Sequence, residues 1–124
     1  TRRSSDLEIP RVDIVYSHAD DDGVMVRAAC AAGARAIVHA GTGNGSIHCC
    51  TDEALADAAD AGVLIIRASR VTTGAVTTGL AEWQERGYVP AGTLTPQKAR
   101  VLAQLVVAEY GQVQSALAEA FSKY

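Results

Sequence analysis

Residues 24–39 read VMVRAACAAGARAIVH, and residues 53–66 read EALADAADAGVLII. Both passages run from an alanine-rich stretch through a small residue and glycine into a short apolar run. Alanine-rich segments favour helix. Gly33 and Gly62 stand where a left-handed C-terminal cap is wanted. Ala36 to His39 and Val63 to Ile66 have the length and branching of buried strands. A glycine-ended helix feeding straight into an apolar strand is the second half of a crossover unit. Two in succession predict a parallel sheet covered by helices, with right-handed connections.

Outward from these passages the alternation continues. Val12 to Tyr16 (VDIVY) predicts a first strand, and Asp20, Asp21 and Asp22 then place carboxylates where a helix N-terminus favours negative charge. The first helix is expected over Val24 to Ala32. Thr51-Asp52-Glu53 opens the second. A glycine- and threonine-rich stretch from Ser69 to Gly79 leads to a short fourth strand near Tyr88 and Val89. Thr95-Pro96 starts a helix with proline at its first position, with Ala99, Leu102, Leu105 and Val106 as its apolar stripe. A last helix carries Val113, Ala116, Leu117, Ala120 and Phe121 at helical spacing. The fold expected is α/β: a small three-layer sandwich, its mostly parallel four-stranded sheet flanked by about four helices. It spans residues 11–124, with the polar residues 1–10 (TRRSSDLEIP) as an interdomain linker.

At 124 residues the chain can bury a core without staples. Apolar residues make up 48% and charged ones 20%, an ordinary globular balance. A net charge of -3 argues against nucleic acid, which needs clustered lysine and arginine. No apolar run approaches the ~20 residues that span a bilayer. No signal peptide precedes the first strand, and the chain reads as beginning in mid-protein. The three cysteines have no metal-ligand spacing. Cys30 is expected as a small buried hydrophobe. A bond between the neighbours Cys49 and Cys50 would be strained, so both are expected as packing residues.

Ligands of such sheets bind beyond the carboxyl ends of the strands. The loop Gly41-Thr42-Gly43-Asn44-Gly45-Ser46 falls there. Its three glycines allow a tight bend and a close backbone approach, and Asn44 and Ser46 offer short polar groups. It reads equally as a plain tight turn. A P-loop would need a lysine here. A dinucleotide fingerprint would need glycine at Ser46 and an acid where Arg67 stands. His18 and His39 each follow a strand, but without a nucleophile elbow or a third ligand they read as structural or exposed histidines. The aspartates after the first strand suggest a receiver domain's acidic cluster, yet that fold would need an Asp where Arg67 follows the third strand.

Val12-Asp13-Ile14-Val15-Tyr16, Ala40-Gly41-Thr42-Gly43-Asn44-Gly45, Ser69-Arg70-Val71 and Gly92-Thr93-Leu94-Thr95-Pro96-Gln97-Lys98-Ala99-Arg100 together resemble the C-terminal domain of bacterial type II L-asparaginases. The resemblance runs from about Pro10 to the chain end, in order and with nearly the family's spacing. It implies a hydrolase of L-asparagine, giving L-aspartate and ammonia, with L-glutamine taken by some members. It implies no cofactor or metal. The family's acyl-transfer residues are two threonines, a tyrosine, an aspartate and a lysine of a preceding domain, so none lies in this chain and the chain alone is expected to be inactive.

What the resemblance assigns to this domain is substrate binding in trans, within a homo-oligomer expected as a tetramer of two tight dimers. By motif the loop residue is Ser46, where many members carry asparagine. Serine resembles the glutaminase-asparaginases, and its shorter side chain implies room for a substrate longer by one methylene. The second residue is Glu82, facing the substrate's α-ammonium group, with Glu85 as the alternative because the spacing from Gly74 is one residue off. Gly43, Asn44 and Gly45 support the loop. Type II members are commonly exported, so the resemblance implies a periplasmic or secreted protein; the sequence leaves a cytoplasmic one open. The competing reading is a non-catalytic α/β binding or oligomerisation module.

Overall fold

The structure, a computed structural model, describes residues 9–17, 22–41, 47, 49–69, 76, 83 and 85–123. The elements in chain order are β1 (Val12–Tyr16), α1 (Val24–Ala31), β2 (Ala36–Gly41), α2 (Cys49–Asp60), β3 (Leu64–Ser69), β4 (Val89–Pro90), α3 (Pro96–Tyr110) and α4 (Gln114–Lys123). The sheet has four strands in the order β1-β2-β3-β4, and every pairing is parallel.

The two repeated passages end their helices in the same way. Gly33, at φ 91°, donates its N–H to the Cys30 carbonyl at 3.0 Å, and Ala34 reaches back to Ala29 at 3.1 Å. Gly62, at φ 95°, donates to Ala59 at 3.0 Å, and Val63 to Ala58 at 3.0 Å. Both are Schellman caps, in which glycine accepts the left-handed turn without a Cβ clash. The likeness in sequence is thus a repeated helix-to-strand joint.

With a strand order that never reverses, successive crossovers of one hand put α1 and α2 on one face. Val15, Ile37 and Ile65 pack there with Val26 and Ala29 of α1 and Ala54, Leu55 and Ala58 of α2. On the opposite face Val12, Ala36, Val38, Leu64 and Ile66 meet Ala99, Ala103, Val106 and Val107 of α3 and Leu117 and Phe121 of α4. Full burial of a side chain the size of Leu117 or Phe121 stabilises by about 1.5–3 kcal/mol. The three-layer sandwich is as the sequence predicts, and β2 and β3 are buried throughout.

Three expectations shift. β3 runs from Leu64 through Ser69, not Val63 to Ile66, so Arg67 lies inside the strand rather than after it. The cause is pairing: β2 and β3 match residue for residue from Ala36↔Leu64 to Gly41↔Ser69, and the ladder carries the strand past a charged side chain. The inner stripe of α3 is Ala99, Ala103, Val106 and Val107, while Leu102 is half-buried and Leu105 is 63% exposed. Small residues face the sheet because the helix lies close to it; Leu94, Val101, Leu102 and Leu105 instead line an open apolar groove on the outer side. Finally, α2 begins at Cys49, and Cys49 and Cys50 are exposed rather than packed, because the buried stripe of that helix starts at Thr51.

The first and last motifs of the resemblance meet in space. The Arg100 Nε donates to the Val12 carbonyl at 2.7 Å, and the Gln97 Nε2 donates to the Tyr16 hydroxyl at 2.8 Å. Thr95 caps α3 by accepting from the Lys98 N–H at 3.3 Å. These bonds stitch α3 along the edge strand β1. Pro10, at the end of the expected linker, is buried, and its carbonyl accepts from Gln104 at 3.4 Å.

Candidate functional site

The carboxyl ends of β1, β2 and β3 lie side by side. Tyr16 pairs with Ala40, and Gly41 with Ser69. The Ser17 N–H extends the edge by donating to the Ala40 carbonyl at 2.9 Å. The ends of β2 and β3, Gly41 and Ser69, therefore lie about 4.8 Å apart, the ordinary spacing of paired strands. Gly43, Asn44, Gly45 and Ser46 fall in the segment 42–46 and Glu82 in the stretch 77–82, all outside the described residues. Their flanks are placed. Gly41 is buried at the end of β2, and Ile47 is half-buried against the α1/α2 core before α2 begins.

The described residues that flank positions 77–82 each have a partner. On one side the Val76 N–H donates to the Gly92 carbonyl at 2.7 Å in an antiparallel bridge. On the other, Trp83 is 7% exposed and its ring centroid lies 4.3 Å from the Arg67 guanidinium carbon. The Tyr88 N–H closes the following turn onto the Trp83 carbonyl at 3.0 Å. Arg86 fastens that turn to α2 through Asp52, at 3.0 Å. Glu85, the alternative to Glu82, is exposed on this turn.

Arg67 is wholly buried, level with His39 on the neighbouring strand. Burial lowers the pKa of its guanidinium from the ordinary value, but arginine stays charged in proteins. The π-face of Trp83 offsets part of the cost of taking that charge out of water. His39, also wholly buried, is a core histidine, as expected; His18 and His48 lie outside the described residues. The Arg67–Trp83 pair escapes sequence reading, because its partners meet only through the sheet. The one available signal was the chain's single tryptophan standing next to Glu82.

Among the described residues no group of three or more His, Cys, Asp or Glu side chains gathers to hold a metal. No described helix is long and apolar enough to cross a membrane. The strand order has no reversal, so the crevice of doubly wound folds at a switch point is absent from the described sheet. The geometry offers instead the adjoining carboxyl ends of three strands, with Trp83 packed on a buried cation.

These features define a parallel α/β domain with helices on both faces of its sheet. The chain belongs to the glutaminase/asparaginase C-terminal domain family, whose match covers residues 11–121. It is 42% identical over 119 residues to L-asparaginase 2 of Escherichia coli (strain K12), a match covering 94% of this chain and 34% of that protein. Against the glutaminase-asparaginase of Pseudomonas fluorescens biotype A it is 42% identical over 101 residues, covering 80% of this chain and 28% of that one. The probable cytoplasmic L-asparaginase from Campylobacter jejuni superposes with a TM-score of 0.88 at 36% identity, over 94% of this chain and 38% of that one. The chain thus spans about a third of the length of the relatives it matches. Another relative, from Haemophilus influenzae, is named a probable periplasmic L-asparaginase, so the relatives' names divide between two compartments.

Proposed function

We propose that this chain is the C-terminal domain of an amidohydrolase that converts L-asparagine to L-aspartate and ammonia and also accepts L-glutamine. The nucleophilic threonine belongs to a preceding domain. This domain lends Ser46 and Glu82 to the active site of a neighbouring subunit, in a homo-oligomer built as a dimer of dimers. The periplasm is the compartment that follows from the type II resemblance. The observation that carries the reading is the family match over residues 11–121, at 42% identity to an L-asparaginase.

Glu82 meets the substrate's α-ammonium group, a charge-assisted contact that strengthens where water is excluded. Ser46 contributes its hydroxyl at the other side of the amino-acid end. Neither residue performs acyl transfer, so both act on binding and orientation. The test is ammonia release from L-asparagine and L-glutamine by the full-length protein. Glu82→Gln is expected to lower kcat/KM by about 10- to 100-fold, the worth of a hydrogen bond to a charged group, and Glu85→Gln to leave it unchanged. Hydrolysis of neither amide by the wild type would favour a non-catalytic module instead.

A further inference from the structure

Cys49 and Cys50 stand together in the first turn of α2, both exposed thiols, with their sulfurs 3.9 Å apart. Nothing in the proposed hydrolysis uses them. Adjacent Cα atoms across a trans peptide are about 3.8 Å apart, closer than the roughly 4.4–6.8 Å of ordinary disulfides. A direct S–S bond is therefore strained here. An atom bonded to both sulfurs as a bridge has no such difficulty, because it lets them stay apart.

The surroundings narrow the kind of bridge. A structural zinc takes four donors, and among the described residues no such group gathers. A trivalent arsenic that already carries one organic substituent needs only two sulfurs. We infer that Cys49 and Cys50 form a bidentate binding site for organoarsenic(III) compounds. The reaction is a condensation. Two As–S bonds replace the two bonds from arsenic to oxygen, that oxygen leaves as water with the two thiol protons, and arsenic remains trivalent, so no oxidant is required.

The local electrostatics leave chelation, not thiol acidity, as the basis of binding. The hydrogen bond with Cys49 foremost, with further repulsion from Glu53 and Asp22, holds the Cys50 thiol above its ordinary pKa. Alkylation and peroxide oxidation run through the thiolate and are slowed by this. The arsenic condensation meets the same obstacle at its first sulfur, and the adjacent second sulfur compensates by closing a chelate. Cys30, half-buried against the α1/α2 core, provides the internal control.

The experiment treats the 124-residue chain with phenylarsine oxide and follows intact mass and thiol count. One phenylarsenic unit per chain is expected, with the loss of two thiols. The adduct should survive excess 2-mercaptoethanol and yield to a dithiol such as dithiothreitol. Cys49→Ser and Cys50→Ser should each weaken retention by about 100-fold or more, the gain that chelation gives over single contacts. Cys30→Ser, or Cys30→Ala if the hydroxyl disturbs the core, should retain it. An adduct that the monothiol strips from the wild type, that persists in Cys49→Ser or Cys50→Ser, or that vanishes in both Cys30 variants overturns the site. This outcome does not depend on the asparaginase reading.

Discussion

The Arg67 guanidinium lies over the Trp83 ring, 4.3 Å from its centroid, with the arginine wholly buried in β3 and the tryptophan next in sequence to Glu82. A buried cation over an indole face is worth about 2 kcal/mol or more once desolvated. Removing the ring leaves the charge without that face. Trp83→Leu is expected to destabilise by about 3 kcal/mol in urea unfolding, with Trp83→Phe costing less because a π-face remains. In the full-length protein the same Trp83→Leu change should raise KM for L-asparagine more than it lowers kcat. Unchanged KM would separate Trp83 from the placement of Glu82.

Gly23 stands where α1 meets α2. At φ 78° a Cβ here would lie 2.9 Å from the Ala54 Cβ and 3.1 Å from the Cys50 carbonyl oxygen. Neither obstacle is the loose end of a long side chain, so the helices must part. Left-handed strain of about 1–3 kcal/mol adds to that. Gly23→Ala is therefore expected to destabilise by more than Gly33→Ala, because Gly33 has a similarly positive φ, 91°, with nothing within 4 Å of its Cβ position. Equal losses in chemical denaturation would remove the packing argument.

How much could be read beforehand follows from the range of each interaction. The parallel layers were legible in residues 24–39 and 53–66 because a glycine cap and the strand after it are local features. The end of β3 was not, since pairing with β2 carries it through Arg67. The stripe of α3 was misjudged between Leu105 and Ala103 because hydrophobicity favours leucine, while the short distance to the sheet favours alanine. Cys49 and Cys50 were misplaced for a related reason: composition marks cysteine as buried, but position on the first turn of α2 decides. Ser46 and Glu82 came from the resemblance of ordered segments, and no spacing rule alone would have selected them.

Alkaline pH should weaken the fold through Tyr88. Burial, the largest cause, raises its phenol above the ordinary value, with the nearby positive charge of Arg86 opposing. The unfolded chain then loses its tyrosine protons from pH ~10 while the folded state keeps that of Tyr88. Fewer protons on the unfolded side mean stability falls as pH rises, and the fall ends once the folded phenol ionises too. Below pH ~10 this contribution is fully present. Tyr88→Phe should flatten the pH dependence of unfolding free energy above that point, and an unaltered slope would assign the alkaline loss to other groups, among them Cys30, whose thiol burial also pushes up.

The proposed choice between the two amides turns on the length of one side chain. If Ser46 faces the amino-acid end of the substrate, the space left by a serine in place of asparagine is about what one methylene needs. Discrimination by a methylene is worth about 1–3 kcal/mol, roughly 10- to 200-fold. Ser46→Asn in the full-length enzyme should then raise the ratio of kcat/KM for L-asparagine over L-glutamine by at least 10-fold on that scale, chiefly by weakening the glutamine reaction. Stability should be unaltered, which thermal unfolding of both forms would check, so a changed ratio could not be blamed on a damaged fold. A ratio that stays constant while Glu82→Gln still cripples both reactions would leave the site where it is proposed and move the choice of amide to the preceding domain.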